Sequence, residues 1–250
     1  MKEIITIKLS DEEAALWFLG QAGYIIRSLG KTVVIDPYLS DSAGKATPDF
    51  SRAVPIPLPP EELKADIFVT THDHLDHLDP DTISRYKHKN ATVFIAPRLA
   101  CRKLESLGVN PTNIRRIDSG ESLVVENIQF TGIYAIPNEP SVIDTCGYKI
   151  EFENGRSLYH TADTGFSELL MQCVPKAELL LVCINGKWGN MDAMEAAALT
   201  RKMKPLIAIP NHYDVMALNS ENPESFRFFI QENDPDLRVE ILEIMKPIIW

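Results

Sequence analysis

The segment FVTTHDHLDHLD, residues 68–79, constrains this chain more than any other part of its sequence. It places His72, His74 and His77, three of the six histidines in the chain, close together and beside Asp76. The apolar and β-branched residues before the cluster predict a buried strand, so the cluster follows directly where that strand ends. Loops at strand ends are where functional side chains collect on a rigid scaffold.

The order of these side chains, H-x-H-x-D-H, favours a metal site over a solvated polar turn. Imidazole nitrogens and carboxylate oxygens are ligands for zinc, iron and manganese. His72 and His74 can converge on one ion, and Asp76 and His77 can converge on a second. Two ions about 3.5–4 Å apart can share one water and lower its pKa towards neutrality, which yields hydroxide positioned for attack.

The composition and charge fit a globular protein with a large core. The chain has 250 residues, 45% hydrophobic and 24% charged, as is ordinary for soluble globular proteins. Its formal net charge of −10 disfavours binding to nucleic acid or to an anionic membrane surface. The N-terminal stretch MKEIITIKLSDEEAALWFLG has no long apolar run, so we expect neither a signal peptide nor membrane insertion. We therefore expect a cytoplasmic protein without a nucleic-acid partner, and the sequence leaves a homo-oligomer open.

The apolar pattern along the chain predicts two sheets covered by helices. Short apolar runs from EIITIKL to KTVVIDPYL are separated by glycines and predict an antiparallel meander. Strands and helices alternate after that, with helices predicted at DPDTISRYKHK, at MDAMEAAALTRKM and at NPESFRFFIQEN. The capping residues would be Asp79, Asn190 or Asp192, and Asn222 in these helices. This order of elements is typical of two facing sheets with helices on both outer sides.

Several segments resemble one known family. The motif THDHLDH resembles the H-x-H-x-D-H signature of the metallo-β-lactamase superfamily. WFLGQAGYIIRSLGKTVVIDPYLSD resembles the opening strands of that family, and SLYHTADTG resembles its later strand that ends in a metal-bridging aspartate. INGKWGNMDAMEAAALTRKMKPLIAIPNHYD resembles its closing segment. This last segment, with LGQAG and DPYLSD, is most similar to the branch typified by L-ascorbate-6-phosphate lactonase.

The resemblance implies an α/β (α+β) fold, a four-layer αββα sandwich, as a single domain over residues 1–250. The site would lie at one edge, where loops from both sheets meet. His72 and His74 would bind a first ion, and Asp163 would bridge it to a second. The second ion would be bound by three residues: Asp76, His77 and His212.

Asp76 is the expected catalytic residue, because the resemblance implies that it orients or deprotonates the attacking water. Two of the implied ligands have simpler alternatives when each is considered alone. Asp163 could be a turn residue before Gly165, since Asp-Thr-Gly is a common turn composition. His212 could be a satisfied buried histidine after a strand. The H-x-H-x-D-H motif favours the ligand role for both.

The first ion is affected by one departure from the family pattern. The superfamily usually has another histidine before a strand that resembles CGYKIEF, whereas the region here reads YAIPNEPSVIDTCGYKI. Asn138, Glu139 or Asp144 could take its place, and oxygen ligands would favour a harder ion such as manganese. Alternatively the first site is weak and the protein works with one ion. The expected cofactor is therefore one or two divalent ions, zinc or manganese first and iron as a further option.

Five further residues are candidates for support of the ligands or for substrate contact: Asp36, Tyr38, His160, Lys187 and Asn190. Asp36 could hydrogen-bond a ligand histidine, although a simple strand-end turn is a nearly equal alternative. His160 could support the site or belong to the core. Lys187 could meet an anionic substrate or remain exposed, and Asn190 could cap a helix.

The predicted function is a metal-dependent hydrolase that acts on a small molecule. A metal-bound hydroxide would attack a carbonyl or phosphoryl centre, while the ions stabilise the developing oxyanion. The resemblance suggests a lactone or a sugar-phosphate lactone as substrate, and a phosphodiesterase is the alternative within the same chemistry. A non-catalytic metal-binding scaffold is the alternative from another class, because the first-site histidine is missing. Iron-dependent redox chemistry is disfavoured, because the sequence shows no flavin-binding domain.

Overall fold

The structure is a computed structural model that describes residues 1–137 and 142–250. Its first sheet contains the strands β1 (Ala14–Gly20), β2 (Gly23–Ser28), β3 (Lys31–Ile35), β4 (Ile67–Val69), β5 (Val93–Ala96), β6 (Ile114–Arg116) and β14 (Pro247–Ile249). Their order across the sheet is β14-β1-β2-β3-β4-β5-β6. The strands β1, β2 and β3 pair antiparallel, as the meander prediction requires, and β3 to β6 pair parallel.

The second sheet has the same mixed character. It contains β7 (Ser122–Val125), β8 (Ile128–Tyr134), β9 (Cys146–Glu151), β10 (Ser157–His160), β11 (Leu179–Cys183), β12 (Ile207–Asn211) and β13 (Arg238–Val239). Their order is β13-β12-β11-β10-β9-β8-β7. The strands β7 to β10 pair antiparallel, and β10 to β13 pair parallel.

Helices cover the outer faces of the two sheets. The α-helices are α1 (Lys2–Thr6), α2 (Ser42–Ala46), α3 (Pro80–Arg85), α4 (Arg98–Ser106), α5 (Glu168–Cys173), α6 (Ala193–Met203) and α7 (Pro223–Gln231). Short 3₁₀ helices lie at Pro48–Phe50, Pro60–Glu62, Lys89–Ala91, Pro111–Asn113 and Ala217–Asn219. In the part of the chain that the structure describes, no helix combines the length and the apolar character needed to cross a bilayer.

The alternation of side chains along β1 shows how the layers form. Leu16 and Phe18 lie in the core between the two sheets. Trp17 and Leu19 point the other way, into an outer cluster that also contains residues of α1, α3 and α4. Residues of α6 and α7 pack on the second sheet. The predicted αββα sandwich is therefore confirmed.

Local capping chemistry fixes the helix starts largely as predicted. The side chain of Asp79 caps α3, and that of Asn222 caps α7. Asp192 caps α6 in a capping box with Glu195, whose carboxylate accepts from the Asp192 backbone N–H. Of the two caps that the sequence left open for α6, the structure selects Asp192 and excludes Asn190.

One predicted strand is wrong, because EIITIKL does not join the meander. Residues Lys2–Thr6 form the short helix α1 instead. Ile4 is buried in the outer cluster. The Arg27 guanidinium donates from Nη1 to the carbonyls of Ile4 at 2.6 Å and Ile5 at 2.5 Å. These tertiary contacts override the strand propensity of the isoleucines.

Parallel strand direction brings the functional loops to one edge. In parallel strands the carboxyl ends lie together, and ligands commonly bind there. Asp36 follows β3, and the histidine cluster follows β4. Asp163 follows β10, and His212 directly follows β12. The loops of both sheets therefore meet where the sequence predicts a metal site.

Candidate metal centre

Two groups of ligand-type side chains form at this edge. The first group is His72, His74 and Asp163, whose potential ligand atoms lie within 4.8 Å of one another. The second group meets the same distance limit: Asp76, His77 and His212. Each group gathers side chains from loops that are far apart in sequence. These are the six residues that the sequence and the resemblance indicated as ligands.

Asp163 lies in contact with both groups. Its Oδ1 is 3.3 Å from His77 Nε2, and its Oδ2 is 3.2 Å from His212 Nε2. It also belongs to the first group with His72 and His74. One carboxylate therefore contacts both groups, which fits the bridging role expected from the resemblance.

The buried polar atoms of the site fit a cation. His77 Nε2 and Asp163 Oδ1 are buried and lie 3.3 Å apart, and neither atom makes a well-formed hydrogen bond with the described residues. Leaving such atoms unsatisfied is costly in a protein interior. His72 Nε2 and His74 Nδ1 lie 3.0 Å apart in the first group. A divalent ion in each group would satisfy these atoms.

The electrostatics also suit divalent cations. Burial lowers the pKa of His72 well below its usual value, which keeps the imidazole neutral. Burial acts to raise the pKa of Asp163, but His212 and His77 outweigh it and hold that pKa well below its usual range. Burial acts to lower the pKa of His212, whereas the Asp163 and Asp76 carboxylates raise it to about 9. Metal ligands must be deprotonated, so a divalent ion bound here would displace the proton that these carboxylates attract to His212.

Asp36 orients one of the histidines. The Nδ1 of His77 lies 2.7 Å from Asp36 Oδ2, and both side chains are fully buried. The same carboxylate accepts from the Thr71 backbone N–H at 2.8 Å and from the Thr71 hydroxyl at 2.6 Å. A carboxylate on Nδ1 fixes the tautomer in which Nε2 carries the lone pair. Asp36 therefore turns His77 Nε2 towards the second group.

The substitution Asp36→Asn tests this orientation. An amide Nδ2 facing His77 would favour the tautomer with hydrogen on Nε2, as in catalytic triads that lose their aspartate. Asn also tolerates the left-handed backbone at this position, where φ is 40°. We expect the affinity for zinc, measured by chelator competition, to fall by about 10–100-fold. Unchanged affinity would show that His77 is oriented by other contacts.

Gln21 is a site residue that the sequence analysis missed. It lies fully buried in the turn between β1 and β2. Its Nε2 donates to Asp76 Oδ2 at 2.8 Å and lies 3.2 Å from His212 Nε2. The backbone carbonyl of Gln21 accepts a hydrogen bond from the His212 backbone N–H at 2.7 Å. The signal in the sequence is a polar residue between glycines at the end of a fully apolar strand.

We expect Gln21→Ala to lower kcat/KM by about 10–100-fold, because Asp76 and His212 lose a shared partner. The measurement is steady-state hydrolysis by metal-loaded protein, with the melting temperature recorded in parallel. Gln129→Ala is the matched control, since Gln129 is exposed on β8. A Gln21→Ala variant that matches the control in kcat/KM would remove Gln21 from the site.

Asn190 also contacts one residue of the first group. Its Nδ2 donates to Asp163 Oδ2 at 2.8 Å, and both side chains are buried. This bond holds one oxygen of Asp163 in a fixed position. Asn190 therefore orients Asp163.

The remaining candidates lie outside the two groups. His160 is a core residue, with Nε2 against the Ala22 carbonyl and Nδ1 accepting from the Ala162 N–H. The Tyr38 hydroxyl accepts from a backbone N–H at 3.3 Å. Lys187 Nζ donates to a backbone carbonyl at 2.8 Å. Asp144 Oδ2 accepts from a backbone N–H. Of the suggested substitutes for the missing histidine, Asn138 and Glu139 lie outside the described residues.

Residues in left-handed backbone conformation concentrate at this edge. Gln21, Ala162, Trp188 and His212 have φ values of 55°, 60°, 56° and 66°. Each costs of the order of 1–3 kcal/mol for a residue with a side chain, so the surrounding structure must hold it in place. Such outliers cluster at ligand and catalytic sites.

A cavity opens beside the two groups. Its volume is about 440 Å³, which is within the range of small-molecule sites. His74, Asp76 and Asp163 contribute the ionisable groups of its lining. The rest of the lining is mainly apolar: Ala43, Ala46, Thr47, Phe50, Leu75, Trp188, Met216 and Asn219. A small molecule in this cavity would contact the ligand residues directly.

Comparisons with known proteins agree with this geometry. The sequence model of the β-lactamase superfamily domain matches residues 31–213. A UPF0173 metal-dependent hydrolase of Cupriavidus taiwanensis is 31% identical over 243 residues, covering 88% of this chain and 82% of the relative. Another, of Methanopyrus kandleri, is 29% identical over 236 residues, covering 90% of this chain and 95% of the relative.

The fold is also found in solved structures. Igni18, a metallo hydrolase from Ignicoccus hospitalis, superposes with a TM-score of 0.75 at 20% sequence identity. The match covers 95% of this chain and 98% of that one. At this identity the likeness shows the fold alone. The sequence matches show more: this chain belongs to the metallo-β-lactamase superfamily and, within it, to the UPF0173 family of metal-dependent hydrolases.

Proposed function

We propose that this protein hydrolyses a lactone or a related carboxylic ester. The observation that carries the proposal is the position of the two ligand groups, linked by Asp163, at the wall of a cavity of small-molecule size. In the reaction, water adds to the carbonyl carbon and the carbon–oxygen bond of the ester breaks. The products are a carboxylic acid and an alcohol, and both groups stay on one opened chain when the substrate is a lactone.

The six ligand residues would hold two divalent ions. Each group offers three protein ligands, which is the usual number in catalytic zinc sites that keep one position open. When bound, such ions supply Lewis acidity that polarises the carbonyl and lowers the pKa of water. Zinc and manganese are both compatible with a donor set of imidazoles and carboxylates.

Asp76 is the proposed catalytic residue. Its carboxylate lines the cavity and is held by the Gln21 amide at 2.8 Å. A carboxylate fixed there accepts a hydrogen bond from the attacking water and aims the water at the carbonyl carbon. It takes the proton that the water loses and returns a proton to the leaving alkoxide. Gln21 positions Asp76 and does not itself react.

The proposal is tested by steady-state assays of the metal-loaded protein. The panel is a neutral lactone, a neutral aryl ester and bis(p-nitrophenyl) phosphate. We expect the lactone and the ester to have the higher kcat/KM, with activity lost on addition of a chelator. Preferred hydrolysis of the phosphodiester would replace the proposal by a phosphodiesterase. Binding of metal without turnover of any substrate would favour the scaffold alternative.

A further inference from the structure

We infer that the substrate is uncharged and packs a flat apolar group against the side chains of Phe50 and Trp188. This inference rests on the proposed function and names the substrate class of the same site. It depends on three features of the cavity: its aromatic wall, the absence of lysine and arginine from the described residues of its lining, and the contacts that hold the Phe50 side of the wall in place.

The aromatic wall consists of Phe50 and Trp188. Their ring centroids lie 5.8 Å apart with an interplanar angle of 58°, so they form one continuous tilted surface. Both rings line the cavity, yet Trp188 keeps 48% of its surface exposed. A large aromatic side chain left half open beside a reaction site is a ready contact for an apolar ligand.

Among the described residues that line the cavity, none is a lysine or an arginine. Its ionisable side chains are His74, Asp76 and Asp163, and two of these are carboxylates. Divalent ions would balance this charge at the reacting carbonyl, which lies beside the ligands. A phosphate elsewhere on the substrate would lie against the apolar wall without a cationic partner. Holding an unpaired charge against an apolar surface is unfavourable, because the charge loses part of its hydration.

The basic residues next to the aromatic wall in sequence are already engaged. The Arg52 guanidinium donates from Nη1 to the Tyr38 carbonyl at 2.9 Å and from Nε to the Val54 carbonyl at 3.2 Å. It also lies 5.0 Å from the Tyr38 ring centroid. Lys187 Nζ donates to the Ser220 carbonyl at 2.8 Å. Both cations stabilise loop backbone, and neither lines the cavity.

The part of the wall that contains Phe50 is held in place by backbone contacts. The Ala53 N–H donates to the Val215 carbonyl at 2.7 Å, and the Arg52 N–H donates to Asp41 Oδ1 at 2.9 Å. Arg52 and Met216 form an antiparallel bridge. The segment that carries Phe50 is therefore joined to the loop that carries Met216. A preformed apolar wall binds a rigid apolar group at low entropic cost.

These features select among the substrates that the sequence suggested. A sugar-phosphate lactone would have no cationic side chain of the cavity lining to pair with its phosphate. Its hydroxyl groups would lie on the apolar surface of the wall. A neutral lactone fused to or substituted by an aromatic ring would place the ring on the wall and the carbonyl at the ligand groups. Dihydrocoumarin has this form and serves as the probe.

The test compares two lactones on zinc- or manganese-loaded protein. We expect kcat/KM for dihydrocoumarin to exceed that for glucono-δ-lactone 6-phosphate by about a hundredfold. A preference for the phosphorylated lactone would overturn the inference and leave the hydrolase proposal standing. If neither lactone is hydrolysed and the aryl ester is not hydrolysed either, the proposed function fails. The affinity of each lactone, measured by tryptophan fluorescence, then tests the inference separately. Tighter binding of dihydrocoumarin would support it. Tighter binding of the phosphorylated lactone would overturn it.

Substitutions in the cavity lining test whether the aromatic wall causes this substrate selectivity. Phe50→Ala and Trp188→Ala are expected to raise KM for dihydrocoumarin roughly tenfold, with kcat and metal content little changed. Phe228→Ala is the control, because Phe228 is 56% exposed on α7 and does not line the cavity. Thr47→Lys, an exposed lining position, should shift kcat/KM towards the phosphorylated lactone. Unchanged KM in both alanine variants would overturn the assignment.

Discussion

The variant Asp76→Asn is expected to lower kcat for lactone hydrolysis by about 10²–10⁴-fold, because it removes the carboxylate that orients the attacking water and accepts its proton. Asn has nearly the shape of Asp and can still accept a hydrogen bond from the Gln21 amide. The second group keeps His77 and His212, so metal content is expected to fall less than kcat does. The measurement combines steady-state kinetics with metal analysis of the same sample.

Asp73→Asn is the matched control for this variant. Asp73 lies in the same loop, and its side chain belongs to neither ligand group. We expect it to retain kcat within about threefold, because its carboxylate belongs to neither ligand group. Wild-type kcat in Asp76→Asn with full metal content would show that Asp76 is not the catalytic residue.

Removal of divalent metal is expected to abolish activity and to lower the melting temperature. The ligand groups bring carboxylates and imidazoles from loops of both sheets into contact. A bound ion joins these loops, because it offsets the repulsion between the carboxylates and provides a partner for the buried polar atoms. Binding to the folded state alone stabilises it by about 2.7 kcal/mol when the free metal is at 100 times Kd. The measurements are hydrolysis and thermal unfolding before and after dialysis against a chelator.

Reloading provides the control for metal removal. Zinc or manganese should restore both activity and melting temperature, whereas calcium should restore neither, because calcium prefers an all-oxygen site. Activity that survives dialysis, in protein shown by metal analysis to be metal-free, would contradict a metal-dependent reaction at this site.

Local chemistry made much of the fold predictable from sequence. The meander of β1, β2 and β3 follows from short apolar runs separated by glycines, and Asp79, Asp192 and Asn222 cap helices through their own side chains. Helix α1 could not be predicted in this way. It is only five residues long, and its conformation depends on the burial of Ile4 and on hydrogen bonds from Arg27.

The candidate site residues also differ in whether the local sequence could identify them. The histidine cluster lies within one short segment, so its spacing carries a metal-site signal in the sequence itself. Asp163 and His212 needed the family resemblance to be singled out. Gln21 could not be found, because its role depends on contacts with Asp76, 55 positions away, and with His212, 191 positions away. His160 was undecided, since only the fold shows that backbone groups occupy both of its ring nitrogens.

The central claim is that the two ligand groups, linked by Asp163, bind divalent metal. It is tested most directly by metal analysis of protein purified without chelator, together with anomalous diffraction at the zinc and manganese edges. We expect one ion among His72, His74 and Asp163 and a second among Asp76, His77 and His212. Protein that binds no ion at either group, even after reloading with zinc and manganese, would contradict it.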